Sequence, residues 1–241
     1  MLPRLNSITY PLTLTNGKNI TFKPFTVEEE KILLTAQESE DQKLILGAVR
    51  QIIRNCVLED IDVLSLPTFD LEYLFLNIRA KSVGEVVDLK LPHPTGKNSA
   101  GEVCEHRTDY KLNLDDVKVH KREGVSNNIK LDDKVGVILR YPTLESAFDT
   151  EGGDKFDIFI NMIIGCIEKI YDEVNTYLAE DSTKKELEDF VKSMNKKQME
   201  KIAEFFEFMP KLKHVIKFRC QKCGCEDKIE LEGLQSFFLL L

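Results

Sequence analysis

Three cysteines fall within six residues at Cys220-Gln221-Lys222-Cys223-Gly224-Cys225. The segments on either side, His214–Arg219 and Lys228–Leu231, read as strands, so the chain must turn back on itself within this loop. A Cys-x-x-Cys-Gly turn between two strands has the form of a zinc knuckle. The tight turn aims two thiolates at one centre, and the glycine lets backbone amides face the sulfurs. Zinc takes four ligands, so this loop is short of a full set. A thioredoxin-type redox role fits less well, because that motif opens a helix and strand residues follow here. A cysteine-rich turn without metal is the bland alternative.

A faint internal repeat suggests where further ligands lie. Leu14–Glu28 and Leu131–Glu145 align without a gap at an offset of 117, as from Thr26 to Thr143. Ile20 matches Val137, Phe22 matches Leu139, and Lys23 matches Arg140. Tyr110–Val117 and Asp227–Leu234 align at the same offset. That offset carries Cys104 and His106 into the second cysteine loop. If the halves pack about a pseudo-twofold axis, both loops meet at one metal. The preferred ligands are Cys104, His106, Cys220 and Cys223, with Cys225 or His93 able to replace one. Such a closed zinc site is structural, having no open position for water.

The repeat divides the chain into 1–123 and 124–241, each running strands, helices, then a β-hairpin. The expected class is α+β, with two pseudo-repeated halves and the knuckle-like loop closing the second. Asn16-Gly17 predicts a hairpin turn. Thr26 with Glu29, Thr183 with Glu186, and Asn195 with Gln198 each predict a capping box; Thr143 has Ser146 at that place, so no box is expected there. Helices are expected over Leu44–Leu58, after Thr68 as cap, and over Phe156–Tyr171. Cys56 and Cys166 sit on apolar helical faces and read as core residues.

Few other residues suggest chemistry. His93, His120 and His214 lack catalytic neighbours in sequence. Glu28, Glu29 and Glu30 suit a helix N-terminus. Asp181–Asp189 reads as a solvated acidic face. No phosphate loop, dinucleotide fingerprint, nucleophile elbow or His-Glu-x-x-His occurs, and the expectation is a protein without enzymatic activity or small-molecule substrate.

Charge bears on partners. Lys and Arg number 33 against 41 Asp and Glu, a net charge of −8, which disfavours non-specific binding to nucleic acid. A local basic stripe of Lys211, Lys213, Lys217, Arg219 and Lys222 leaves an alternative open, a cytosolic zinc adaptor contacting nucleic acid or polymerase. No export signal is read in Met1–Tyr10. The longest apolar run, Phe237-Phe238-Leu239-Leu240-Leu241, is far below the roughly 20 residues of a membrane-spanning helix. No membrane partner is expected. Those five residues either pack on their own domain or dock into a partner subunit.

The stretch Phe22–Leu34, the later Ile52-Ile53-Arg54-Asn55-Cys56, and Cys220-x-x-Cys223-Gly224 with Gly233-Leu234 and Phe237-Phe238 resemble the baseplate hub subunit and hub assembly protein family of T-even-type contractile-tailed phages. The resemblance implies a structural or assembly role in the tail baseplate, with other hub or tail proteins as partners. It implies action in the host cytoplasm during assembly and a place in the virion tail baseplate for members that stay. Homo-oligomerisation is compatible with it.

Overall fold

The computed structural model describes residues 7–39, 41–92, 97, 101, 104–144, 146, 154–233 and 236. Among the described residues six α-helices and eleven strands form a mixed α+β fold, with the strands in four small antiparallel sheets. The chain divides into two compact units. The first draws on residues 1–63, 69–120 and 211–241, the second on 64–68 and 121–210.

The first unit opens with a hairpin of β1 (Tyr10–Thr13) and β2 (Asn19–Phe22), Tyr10 opposite Phe22. The Asn16-Gly17 turn is found as expected: Gly17 takes φ +85°, and Asn16 Oδ1 accepts from the Lys18 amide at 2.9 Å. Helix α1 (Val27–Glu38) starts from the complete Thr26–Glu29 capping box. In α2 (Gln42–Cys56), Ile52, Ile53 and Cys56 are fully buried, whereas Leu44 is 55% exposed despite its apolar position. After α2 the chain runs back along β2, where Lys23 N donates to Cys56 O at 2.9 Å. Helix α3 (Thr68–Val83) buries Leu71, Leu74, Phe75 and Ile78, with Thr68 as its first helical residue.

Asp70, in the first turn of α3, is fully buried. Its Oδ1 accepts from the Thr15 amide at 2.9 Å, and its Oδ2 from the Thr15 hydroxyl at 2.8 Å. One carboxylate thus pins the first hairpin turn to α3. Burial raises its pKa, and the two Thr15 bonds oppose the rise.

Strands β3 (Val86–Leu91) and β4 (Thr108–Asn113) pair with Leu89 opposite Tyr110. The short β5 (Lys118–His120) pairs with β10 (Lys211–Arg219), which pairs in turn with β11 (Glu226–Glu232). Leu89, Leu91, Leu112, Val117, Leu212 and Ile216 share one core. This corrects the division at residue 123. The last hairpin returns to the first unit because Leu212 pairs with Val119 and because the inward face of β10 completes that core.

The second unit is a meander of β6 (Asn128–Lys130), β7 (Gly136–Leu139), β8 (Ile167–Tyr171) and β9 (Thr176–Leu178). Against it lie α4 (Lys155–Cys166), α5 (Lys184–Lys192) and α6 (Lys196–Phe208). Val137, Leu139, Ile163, Val191, Ile202 and Phe205 form its core. The Thr183–Glu186 and Asn195–Gln198 boxes are both present. Two expectations change. The helix expected over Phe156–Tyr171 stops at Cys166, because Ile167–Tyr171 pairs with β7 instead. Thr143 and Ser146 do cap reciprocally: the Thr143 amide donates to Ser146 Oγ at 2.8 Å and the Ser146 amide to Thr143 Oγ1 at 3.4 Å. Arg140 N, just past β7, donates to Cys166 O at the end of α4 at 2.8 Å, as Lys23 N, just past β2, does to Cys56 O at the end of α2.

Replacing Asp70 with Ala is expected to cost about 1–3 kcal/mol, since the Thr15 donors lose their acceptor. Asp70→Asn keeps an acceptor and removes the ionisation. Because the native carboxyl binds its proton more tightly than the unfolded one, native stability from this group is full below the unfolded pKa and is lost as pH rises through the native value. Urea denaturation from about pH 4 to pH 7 should therefore show Asp70→Asn gaining on the native protein as pH rises.

Candidate metal centre

The antiparallel register of β10 and β11 runs to Arg219 opposite Glu226, so only Cys220–Cys225 is left to turn. The turn is closed by Cys220 N to Cys225 O and Gly224 N to Cys220 O, both 2.9 Å. Gly224 adopts φ +74°, and Arg219 Nε donates to its carbonyl at 2.9 Å. Lys222 N points at Cys220 Sγ, 3.4 Å away. Along β10 the buried side chains alternate through Ile216 and Phe218, and the same alternation carries Cys220 inward to 2% exposure.

Cys104 arrives from the segment that leads into β4 and is also buried. The sulfurs of Cys104, Cys220 and Cys223 all lie within 4.8 Å of one another. All six cysteines are free of disulfides. His106 is half-buried in the same segment but does not join this group. Cys225 is half-buried too and likewise lies outside the group of three; its sulfur lies 4.0 Å from Lys97 O and interacts with the Cys223 thiol. His93 and Phe237–Leu241 lie outside the described residues.

Electrostatics in the group favour one ready negative charge. Burial opposes ionisation of Cys220, but the amides of Cys223 and Lys222, the Cys223 thiol and the Thr108 hydroxyl together bring it down to about 6. The Cys225 amide would lower Cys223; burial and the thiols of Cys225, Cys220 and Cys104 outweigh it and push Cys223 up to about 12. Thr108 is 4% exposed, and its hydroxyl makes no hydrogen bond of ordinary geometry among the described residues. Its position beside Cys220 was not readable in sequence, because Thr108 looks like any strand threonine. Burial raises Cys56 to about 12 and Cys166 to about 11, in keeping with packing roles.

The remaining candidates are elsewhere. His120 is an exposed residue of β5, and His214 lies opposite Leu231 in the last hairpin. The basic stripe is matched in part: Lys211 pairs with Glu232 at 2.8 Å and Lys213 with Glu230 at 2.5 Å, while Lys217 lies opposite Lys228. In the second unit an open groove of about 660 Å³ is lined by Arg140, Tyr141, Thr143 and Glu168. Its guanidinium is spent on Gly165 O, at 2.9 and 3.1 Å.

A family model described as T4 bacteriophage base plate protein matches residues 7–239. Over 225 residues the chain is 25% identical to the baseplate hub assembly protein gp26 of Enterobacteria phage T4, covering 93% of this chain and 95% of the relative. No solved structure matches.

The turn yields a direct test. A Cβ on Gly224 would meet only Arg219, at an ordinary 3.9 Å, so the cost of Gly224→Ala is that of its backbone conformation. Gly224→Ala should lose about 1–2 kcal/mol in chemical denaturation, and Gly224→Asn should lose less, because Asn tolerates the left-handed region better.

Proposed function

The chain belongs to the T4 bacteriophage base plate protein family, and from that premise we propose a non-enzymatic component or assembly factor of a phage tail baseplate hub, acting through protein–protein contacts. The observation that carries the reading is end-to-end similarity to a hub assembly protein, with almost all of both chains aligned. Its partners are other hub or tail proteins, met in the host cytoplasm during assembly. Exposed apolar side chains such as Val27 and Leu34 on α1 and Leu44 on α2 support contact-based action. The five apolar residues Phe237–Leu241 supply a docking anchor. We also read the two halves as an internal duplication. Support comes from the paired bonds Lys23–Cys56 and Arg140–Cys166, which join matching strand and helix ends.

The test is an affinity pull-down of tagged protein from infected cells, with a phage lacking this gene as the companion. Tail tube, spike or baseplate proteins should be recovered, and the deletion should halt tail assembly. Recovery of polymerase or nucleic-acid proteins with normal tails would overturn the reading. Removing Phe237–Leu241 should weaken partner binding by roughly tenfold, as loss of an interface anchor does.

A further inference from the structure

We propose that Cys104, Cys220, Cys223 and Cys225 hold one zinc ion, which fastens the last hairpin to the segment preceding β4. Three of the sulfurs already lie within 4.8 Å of one another. Sulfurs around a tetrahedral zinc at about 2.3 Å stand roughly 3.8 Å apart, so small side-chain shifts suffice. The fourth donor is Cys225 rather than His106. Neither side chain belongs to the three-sulfur group, but Cys225 closes the same turn as Cys220 and Cys223, and its thiol interacts with Cys223. A rotamer change at Cys225, away from Lys97 O, closes the tetrahedron.

Two further features suit thiolates rather than thiols. Lys222 N faces Cys220 Sγ at 3.4 Å, as amides do around a knuckle metal. The buried Thr108 hydroxyl, without another partner among the described residues, adjoins Cys220 and gains an acceptor once that sulfur is anionic. A neutral thiol is only a weak acceptor for this donor, and buried hydroxyls rarely go without a good one. All-sulfur tetrahedral donors select zinc or iron, and zinc suits a closed structural site. On binding, each thiol that becomes a ligand gives its proton to solvent, so uptake releases protons.

The full chain, purified under reducing conditions, should contain about one zinc per molecule by elemental analysis. Cobalt replacing the zinc should give the thiolate charge-transfer and ligand-field bands of a tetrahedral sulfur site. Cys225→Ala lies at a half-buried position and should fold, yet bind zinc at least about tenfold more weakly. His106→Ala should bind as the native protein does. Any of three results overturns the proposal: no stoichiometric zinc after reconstitution, iron in place of zinc, or retention by Cys225→Ala alongside loss in His106→Ala. A Cys220–Cys223 disulfide as the stable form would also overturn it.

Discussion

The antiparallel pairing of Leu212 with Val119 is short, spanning only Lys211–Lys213 against Lys118–His120. Three residues of ladder contribute little by themselves. Burial decides the matter: Leu212 and Ile216 are fully buried, and each such side chain contributes about 1.5–3 kcal/mol. The ladder sets direction and register; the apolar face of β10 supplies the driving force. Everything beyond it follows from strand geometry. With the register fixed at Leu212, alternation places Ile216, Phe218 and Cys220 on the inner side. The turn then presents Cys223 beside Cys104.

The local signals in the sequence correspond to interactions that a few adjacent residues complete among themselves. The Asn16-Gly17 turn and the capping boxes at Thr26, Thr183 and Asn195 are of this kind. The Thr143 cap was missed because Ser146 plays the part that a longer side chain usually takes. Ile167–Tyr171 was misread because Ile167 and Tyr171 keep the helical spacing of Ile160, Ile163 and Ile164, and only the partner strand β7 decides. Asp70 was invisible for a similar reason. Its purpose lies in Thr15, far along the chain, and an acidic residue in a first helical turn already has an ordinary explanation. At the cysteine group, residue type singled out the loop and Cys104, whose sulfurs the fold gathers, but the relative placement of His106 and Cys225 depends on side-chain direction.

The cysteines fall into two physical classes. Cys56 and Cys166 end helices inside apolar cores, where burial keeps the proton on sulfur. Cys104, Cys220 and Cys223 are gathered with one another and with amides that face the sulfur, so the cost of charge is shared. The same contrast explains why the acidic surface says little about the site. Two lysines of β10, Lys211 and Lys213, are balanced by glutamates of β11, and this cross-strand matching stabilises the hairpin.

The first unit is discontinuous in sequence, with Lys121–Pro210 set between its second part and its last hairpin. During synthesis the N-terminal portion leaves the ribosome without the strand that fills its core. The second unit emerges whole and is free to fold first. Leu89, Leu112 and Val117 stay wet until β10 has been made. A prematurely terminated chain therefore never displays the finished first unit. The order of the elements makes β10 the step on which the first unit's core waits.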